Sequence, residues 1–144
     1  MIRMTEAQLD QVKRHGEADF PHECCGLLIG AFVAGEPGKK TVNEVYPISN
    51  AREEEAKRNR FLITPQELMR GERHARETKQ EVVGFYHSHP DCPAVPSQFD
   101  LDHAWPVYSY VIVSVRQGRA AEVLSWELRE DRSKFDPEEF EKGK

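Results

Sequence analysis

The apolar positions fall into short, strongly patterned segments separated by charged stretches. From Thr5 to Phe20, Leu9, Val12 and Phe20 recur among charges at roughly helical spacing, and Thr5 with Gln8 matches a capping box. A helix is predicted there, ended by Pro21. Cys24 to Val33 is an apolar run punctuated by Gly26 and Gly30, and its length suits a buried strand. Thr41 to Ile48 alternates as a second strand, whereas Ser49 to Arg60 is a dense charge run that no period folds and is expected to be a mobile loop. After an extended apolar stretch from Arg60 to Ile63, Thr64, Pro65 and Glu67 supply an N-cap, a first-turn proline and a capping-box glutamate. These predict a helix from Pro65 to about Lys79. Glu81 to His89 carries Val82, Val83, Phe85 and Tyr86 with no polar break before its histidines, the pattern of a central strand buried on both faces. Val107 to Val115 has the same pattern, and Ala121 to Leu128 is a further strand.

Helices interspersed with strands around two strongly buried strands predict an α/β fold, a mixed β-sheet flanked by helices. The chain of 144 residues fits one domain, and no repeat or linker divides it. That domain is expected over residues 1–128. Residues 129–144 are mostly charged apart from Phe135 and Phe140, and are expected to be a docked turn or disordered.

Composition narrows the function classes. A net charge of −5, with basic residues scattered among acidic ones, gives no broad positive field, so nucleic acid is not an expected partner. No apolar run reaches the roughly 18 residues of a membrane span, and Met1 to Asp10 lacks the apolar core of a signal peptide. The expected address is the cytoplasm, without a membrane partner. Three cysteines, two of them adjacent at Cys24 and Cys25, read as free thiols rather than a disulfide framework.

Candidate chemistry lies in His87-Ser88-His89-Pro90, followed after six residues by Ser97 and after two more by Asp100. Alternate side chains on a strand share a face, so His87 and His89 project together while Ser88 points away. Two imidazoles so placed can bind one metal ion. Pro90, Pro93 and Pro96 stiffen the path that returns Ser97 and Asp100 toward them, making Asp100 the candidate third ligand. Two neutral imidazoles and one carboxylate leave a fourth tetrahedral position for water, which distinguishes catalytic from structural zinc. Turnover then needs a base that takes a proton from the water and delivers it to the leaving amine, and Glu23 is the candidate.

This set resembles the signature of the JAMM (MPN+) zinc metallopeptidases: a distant glutamate, His-x-His-Pro, six residues, Ser, two residues and Asp. Glu23, His87, His89, Pro90, Ser97 and Asp100 meet it without gap or substitution. Pro21 to Gly30 looks like the family's glutamate-bearing strand, and Ala104 to Val113 like its bacterial branch. The resemblance, covering roughly Thr5 to Leu128, implies a single-domain, cytidine-deaminase-like α/β core. It also implies cleavage of an amide or isopeptide bond after the C-terminal glycine pair of a ubiquitin-like protein, with Ser97 holding the oxyanion. Small bacterial members are associated with ubiquitin-like sulfur-carrier proteins, which would be the partner. The oligomeric state is not legible.

Blander readings compete at each position. Alone, His-x-His is more often two strand residues satisfied by backbone, and six matched positions reverse that. Ser97 and Asp100 also read as the capping box of a helix. A carboxylate bound to zinc should have little left for an N-cap amide, so ligand and cap are expected to compete at Asp100. Cys92, three residues from His89, could act as an inhibitory ligand, but without a Cys-x-x-Cys pair it reads as a loop thiol. Arg70, Arg73 and Arg76 are interleaved with Glu67, Glu72 and Glu77 and read as a solvated face. Two other functions remain in view. A catalytically silent MPN-type scaffold is opposed by the intact ligand set, and a zinc deaminase by the lack of His-x-Glu and Pro-Cys-x-x-Cys.

Overall fold

Every strand predicted from an apolar run forms, and the runs without polar breaks lie at the centre of one sheet. The structure, a computed structural model, describes residues 1–48 and 63–142. In chain order these form β1 (Ile2–Met4), α1 (Glu6–Asp19), β2 (Cys25–Phe32), β3 (Lys40–Ile48), α2 (Pro65–Glu77), β4 (Glu81–Pro90) and α3 (Gln98–His103). β5 (Ser109–Arg116), β6 (Arg119–Leu128), β7 (Phe135–Glu138) and β8 (Phe140–Lys142) follow. The strand order is β7-β6-β5-β4-β2-β3-β1-β8. β4 runs antiparallel to β2 and parallel to β5, so the sheet is mixed, as expected. The expected mobile loop, Ser49 to Arg60, lies outside the described residues.

The helices cover opposite faces. Beneath α1, Val12 packs with Cys24, Leu28, Val83, Tyr86, Val111 and Val113; on the other face Ala75 of α2 packs with Cys25, Leu27, Ile29 and Val82. Along residues 24–29, Cys24 and Leu28 thus face α1, and Cys25, Leu27 and Ile29 face α2, the alternation of a strand buried on both sides. Two glycines permit the close approaches. A Cβ on Gly26 would stand 2.2 Å from the Tyr86 ring on the paired strand, and one on Gly71 of α2 would stand 2.0 Å from Leu27 Cδ1. Thr5 caps α1 through the predicted box: its hydroxyl accepts from Gln8 N–H at 3.1 Å and its own N–H donates to Gln8 Oε1 at 2.9 Å. Thr64 caps α2, accepting from Glu67 N–H at 3.2 Å.

The segment after Leu128 differs from its expectation. β7 pairs with β6 at one edge of the sheet and β8 with β1 at the other, so the chain steps between the two edges across Glu139 alone. The reason is a charge the apolar pattern could not report. Glu138 is buried, its Oε1 accepting from Ser109 Oγ at 2.6 Å and Ser125 Oγ at 2.7 Å, its Oε2 from Lys40 Nζ at 3.1 Å. Among the described residues no helix is long and apolar enough to cross a membrane.

Candidate metal centre

β4 places both histidines on the α2 face of the sheet, where Cys25 opposite His87 is the last paired residue of β2. Their Nε2 atoms converge to 3.1 Å. The chain then turns through three prolines into α3, whose first turn returns Asp100: Oδ1 lies 3.3 Å from His87 Nε2 and Oδ2 lies 3.1 Å from His89 Nε2. Glu23, at the mouth of β2, completes the group, since it, His87 and His89 each offer a ligand atom within 4.8 Å of one another. All four side chains are buried. Glu23, His89 and Ser97 line one cleft of about 260 Å³, with Cys92 at its rim. The structure therefore brings together every residue that the sequence reading singled out.

The protons of His89 can be placed. Its Nδ1 lies 2.9 Å from the Pro93 carbonyl, which can only accept, so Nδ1 carries the hydrogen. In the neutral ring Nε2 is then a bare lone pair, and it points at Asp100 Oδ2, another acceptor. A positive charge belongs between two such acceptors, either a second proton on Nε2 or a metal ion. Burial holds His87 below its ordinary pKa, against the opposing pull of Asp100. For Asp100 burial acts to raise the pKa, but His87, the hydrogen bonds from both imidazoles and the Ser97 N–H together hold it well below the usual carboxylate range. A His87 held toward its neutral form beside an Asp100 held toward its ionised form suits the binding of a divalent metal.

Spacing agrees with that chemistry. Tetrahedral zinc with bonds of roughly 2.0–2.1 Å separates its ligand atoms by about 3.3–3.4 Å. The two Nε2 atoms, 3.1 Å apart, come within a few tenths of an ångström of that spacing, and Asp100 sets one oxygen 3.3 Å from His87 and the other 3.1 Å from His89. His87, His89 and Asp100 thus fit a zinc ion. Glu23 forms an alternative trio with the histidines, while Asp100 offers one carboxylate oxygen to each Nε2 atom.

Of the two roles expected to compete at Asp100, the cap is formed. Ser97 N–H donates to Oδ2 at 2.8 Å and Asp100 N–H donates to Ser97 Oγ at 3.1 Å, a complete capping box, while the same carboxylate faces both imidazoles. A carboxylate has about four lone-pair sites, and the cap occupies one. Ser97 Oγ has its acceptor side taken by the backbone, leaving its hydrogen to donate.

One contributor escaped the sequence reading. Ser88, read only as pointing away, accepts Cys24 N–H on its Oγ at 2.8 Å, and its own N–H donates to the Cys24 carbonyl at 3.2 Å. It therefore fixes the backbone beside Glu23 to the strand that carries the histidines. The alternation that turned Ser88 to the opposite face was the available signal, but nothing in it identified the partner.

A family profile described as prokaryotic homologs of the JAB domain matches residues 5–129. The chain is similar to the desampylase of Haloferax volcanii, with 35% identity over 107 residues, 74% of this chain and 72% of that protein. It is 30% identical to the CysO-cysteine peptidase of Mycobacterium tuberculosis over 115 residues, 79% of this chain and 73% of the other. A solved structure from Desulfitobacterium hafniense superposes with a TM-score of 0.84 at 29% identity, covering 99% of this chain and 93% of its own.

Proposed function

This chain belongs to the prokaryotic family of JAB-domain homologs, and on that premise we propose that it cleaves the bond after the C-terminal glycine pair of a ubiquitin-like sulfur-carrier protein, using zinc held by His87, His89 and Asp100. It is a JAMM-type hydrolase, and its similarity to a desampylase and a CysO-cysteine peptidase supports a substrate among ubiquitin-like protein conjugates. The observation that carries the metal assignment is the convergence of both imidazole Nε2 atoms and the Asp100 carboxylate to contacts of 3.1–3.3 Å, with His89 Nδ1 turned to the Pro93 carbonyl so that Nε2 faces the carboxylate.

Bound there, zinc supplies Lewis-acid polarisation of the scissile carbonyl and acidifies the attacking water. The chain's own groups do the rest. Glu23, buried in the same cleft, holds a proton on its carboxylate after the attack and passes it to the leaving amine. The Ser97 hydroxyl, already held by the helix cap, donates to the carbonyl oxygen as it gains charge, so little reorganisation is needed. A tail ending in two glycines suits a narrow cleft, because residues without side chains pass closest to its walls.

The test offers the purified protein a bacterial sulfur carrier with a C-terminal extension, the same fusion with alanines for the glycine pair, and linked ubiquitin chains. Preferential cleavage of the first supports the reading. Equal hydrolysis of all three, or of unrelated unfolded peptides, would remove the sulfur-carrier assignment and leave a broad peptidase.

A further inference from the structure

We propose that Glu122 and Trp126 of β6 are positioning residues that select the metal-binding tautomer of His89 by locking the peptide between Pro93 and Ala94. This rests on His89 being a zinc ligand. The carbonyl of that peptide accepts from His89 Nδ1 at 2.9 Å, and its N–H donates to Glu122 Oε1 at 3.3 Å. The next carbonyl, that of Ala94, accepts from the Trp126 indole N–H at 2.9 Å. Glu122 and Trp126 stand four residues apart on one strand, so both side chains reach the loop from the same face. Ala94, between them, is fully buried.

The chemistry depends on which end of the peptide faces His89. With the carbonyl inward, Nδ1 must carry the proton and Nε2 is bare for metal. If the peptide flipped, its N–H would face Nδ1, select the opposite tautomer and put a proton on Nε2, where it would block coordination. Glu122 opposes the flip because an ionised carboxylate can only accept, and a flipped peptide would present it with a carbonyl. It also polarises the peptide and so strengthens the Pro93 carbonyl as an acceptor. Trp126 anchors the following residue, so the link cannot rotate as a unit. From β5, Ser114 Oγ donates to the Cys92 carbonyl at 2.6 Å and secures the start of the same loop. The side chain of Glu122 is 45% exposed and has Arg116 at 3.8 Å, so its effect is screened and should be moderate.

The experiment compares the parent with Trp126→Phe, Glu122→Ala and Glu122→Gln by two readouts. Histidine-selective nitrogen NMR on metal-free protein at about pH 8, where exposed imidazoles are neutral, reports the His89 tautomer. Competition with a chromogenic chelator reports zinc affinity. Trp126→Phe and Glu122→Ala should each weaken zinc about tenfold, at the low end for groups behind a ligand, and turn a single His89 tautomer into a mixture. Glu122→Gln, which keeps an acceptor but whose amide can also donate to a flipped carbonyl, should restore only part of both. An unchanged tautomer in Trp126→Phe and Glu122→Ala overturns the proposal even if zinc affinity falls, because the route through His89 would then be absent. If Trp126→Phe does not fold, the contrast between Glu122→Ala and Glu122→Gln decides. A parent that binds no zinc would refute the metal assignment instead, and the tautomer measurement would still judge this one.

Discussion

Two buried charged clusters sit in this domain, and they differ in whether the chain supplies both signs of charge. Around Glu138, Lys40 Nζ donates at 3.1 Å to one oxygen and two serine hydroxyls serve the other, while Glu127 takes a second bond from Lys40 at 2.8 Å. That cluster closes on itself. Around Asp100, the described residues supply no lysine or arginine partner, only the two imidazoles. Burial disfavours a proton on His87. A polar cluster that is satisfied internally ties the fold together, whereas one short of a cation is a place to bind one.

The predictions press on that difference. Glu23→Gln should keep fold and zinc but lower the cleavage rate by about 10²–10⁴, because the amide preserves shape and removes the base. Parent-like cleavage would move the base elsewhere. Lys40→Met removes the buried ammonium at Glu138 but leaves the Met1 ammonium 3.2 Å from the same oxygen, and should cost about 1–3 kcal/mol in urea unfolding, with zinc content per folded molecule unchanged. A loss below about 1 kcal/mol, the range of exposed pairs, would make the closed cluster dispensable. Ser97→Ala should cost about 10²–10³ in rate, as for one oxyanion donor. Part of any stability loss there would come from the cap, typically about 1 kcal/mol.

Acid separates the clusters further. The pKa of His87 in the folded protein lies below its ordinary value of 6.5, so the unfolded chain takes up the proton first and stability falls as pH drops below that value. Asp100, also depressed, contributes stability that is present above its ordinary 3.8 and lost as pH falls further. Metal-free protein should therefore lose stability progressively from about pH 6.5 downward, and His87→Ala should flatten the upper part of that profile. The smallest effect concerns thiols. Burial pushes Cys24 up to about 12 and Cys25 higher still, while Cys92 is exposed, so native protein should react with one equivalent of a thiol reagent.

Much of this was legible where side-chain chemistry follows local spacing. The His-x-His pair, the caps at Thr5 and Thr64 and the alternating faces of β2 are set by neighbours in sequence, and each is found as read. What escaped is non-local or carries charge in the interior. β7 and β8 are held by Glu138 against residues from β3, β5 and β6, and a charged segment gives no apolar signal for burial. β1 was missed because three residues are too few to show a period. The Ser88 bond to Cys24 joins positions 64 residues apart and could be seen only once the strands were paired.

The account stands most directly on whether the Asp100 cluster takes a metal. Purified parent protein should carry one zinc per chain by elemental analysis, and the double variant His87→Ala, His89→Ala, checked by circular dichroism for an intact fold, should carry almost none. Stoichiometric zinc retained in that folded double variant would contradict the account.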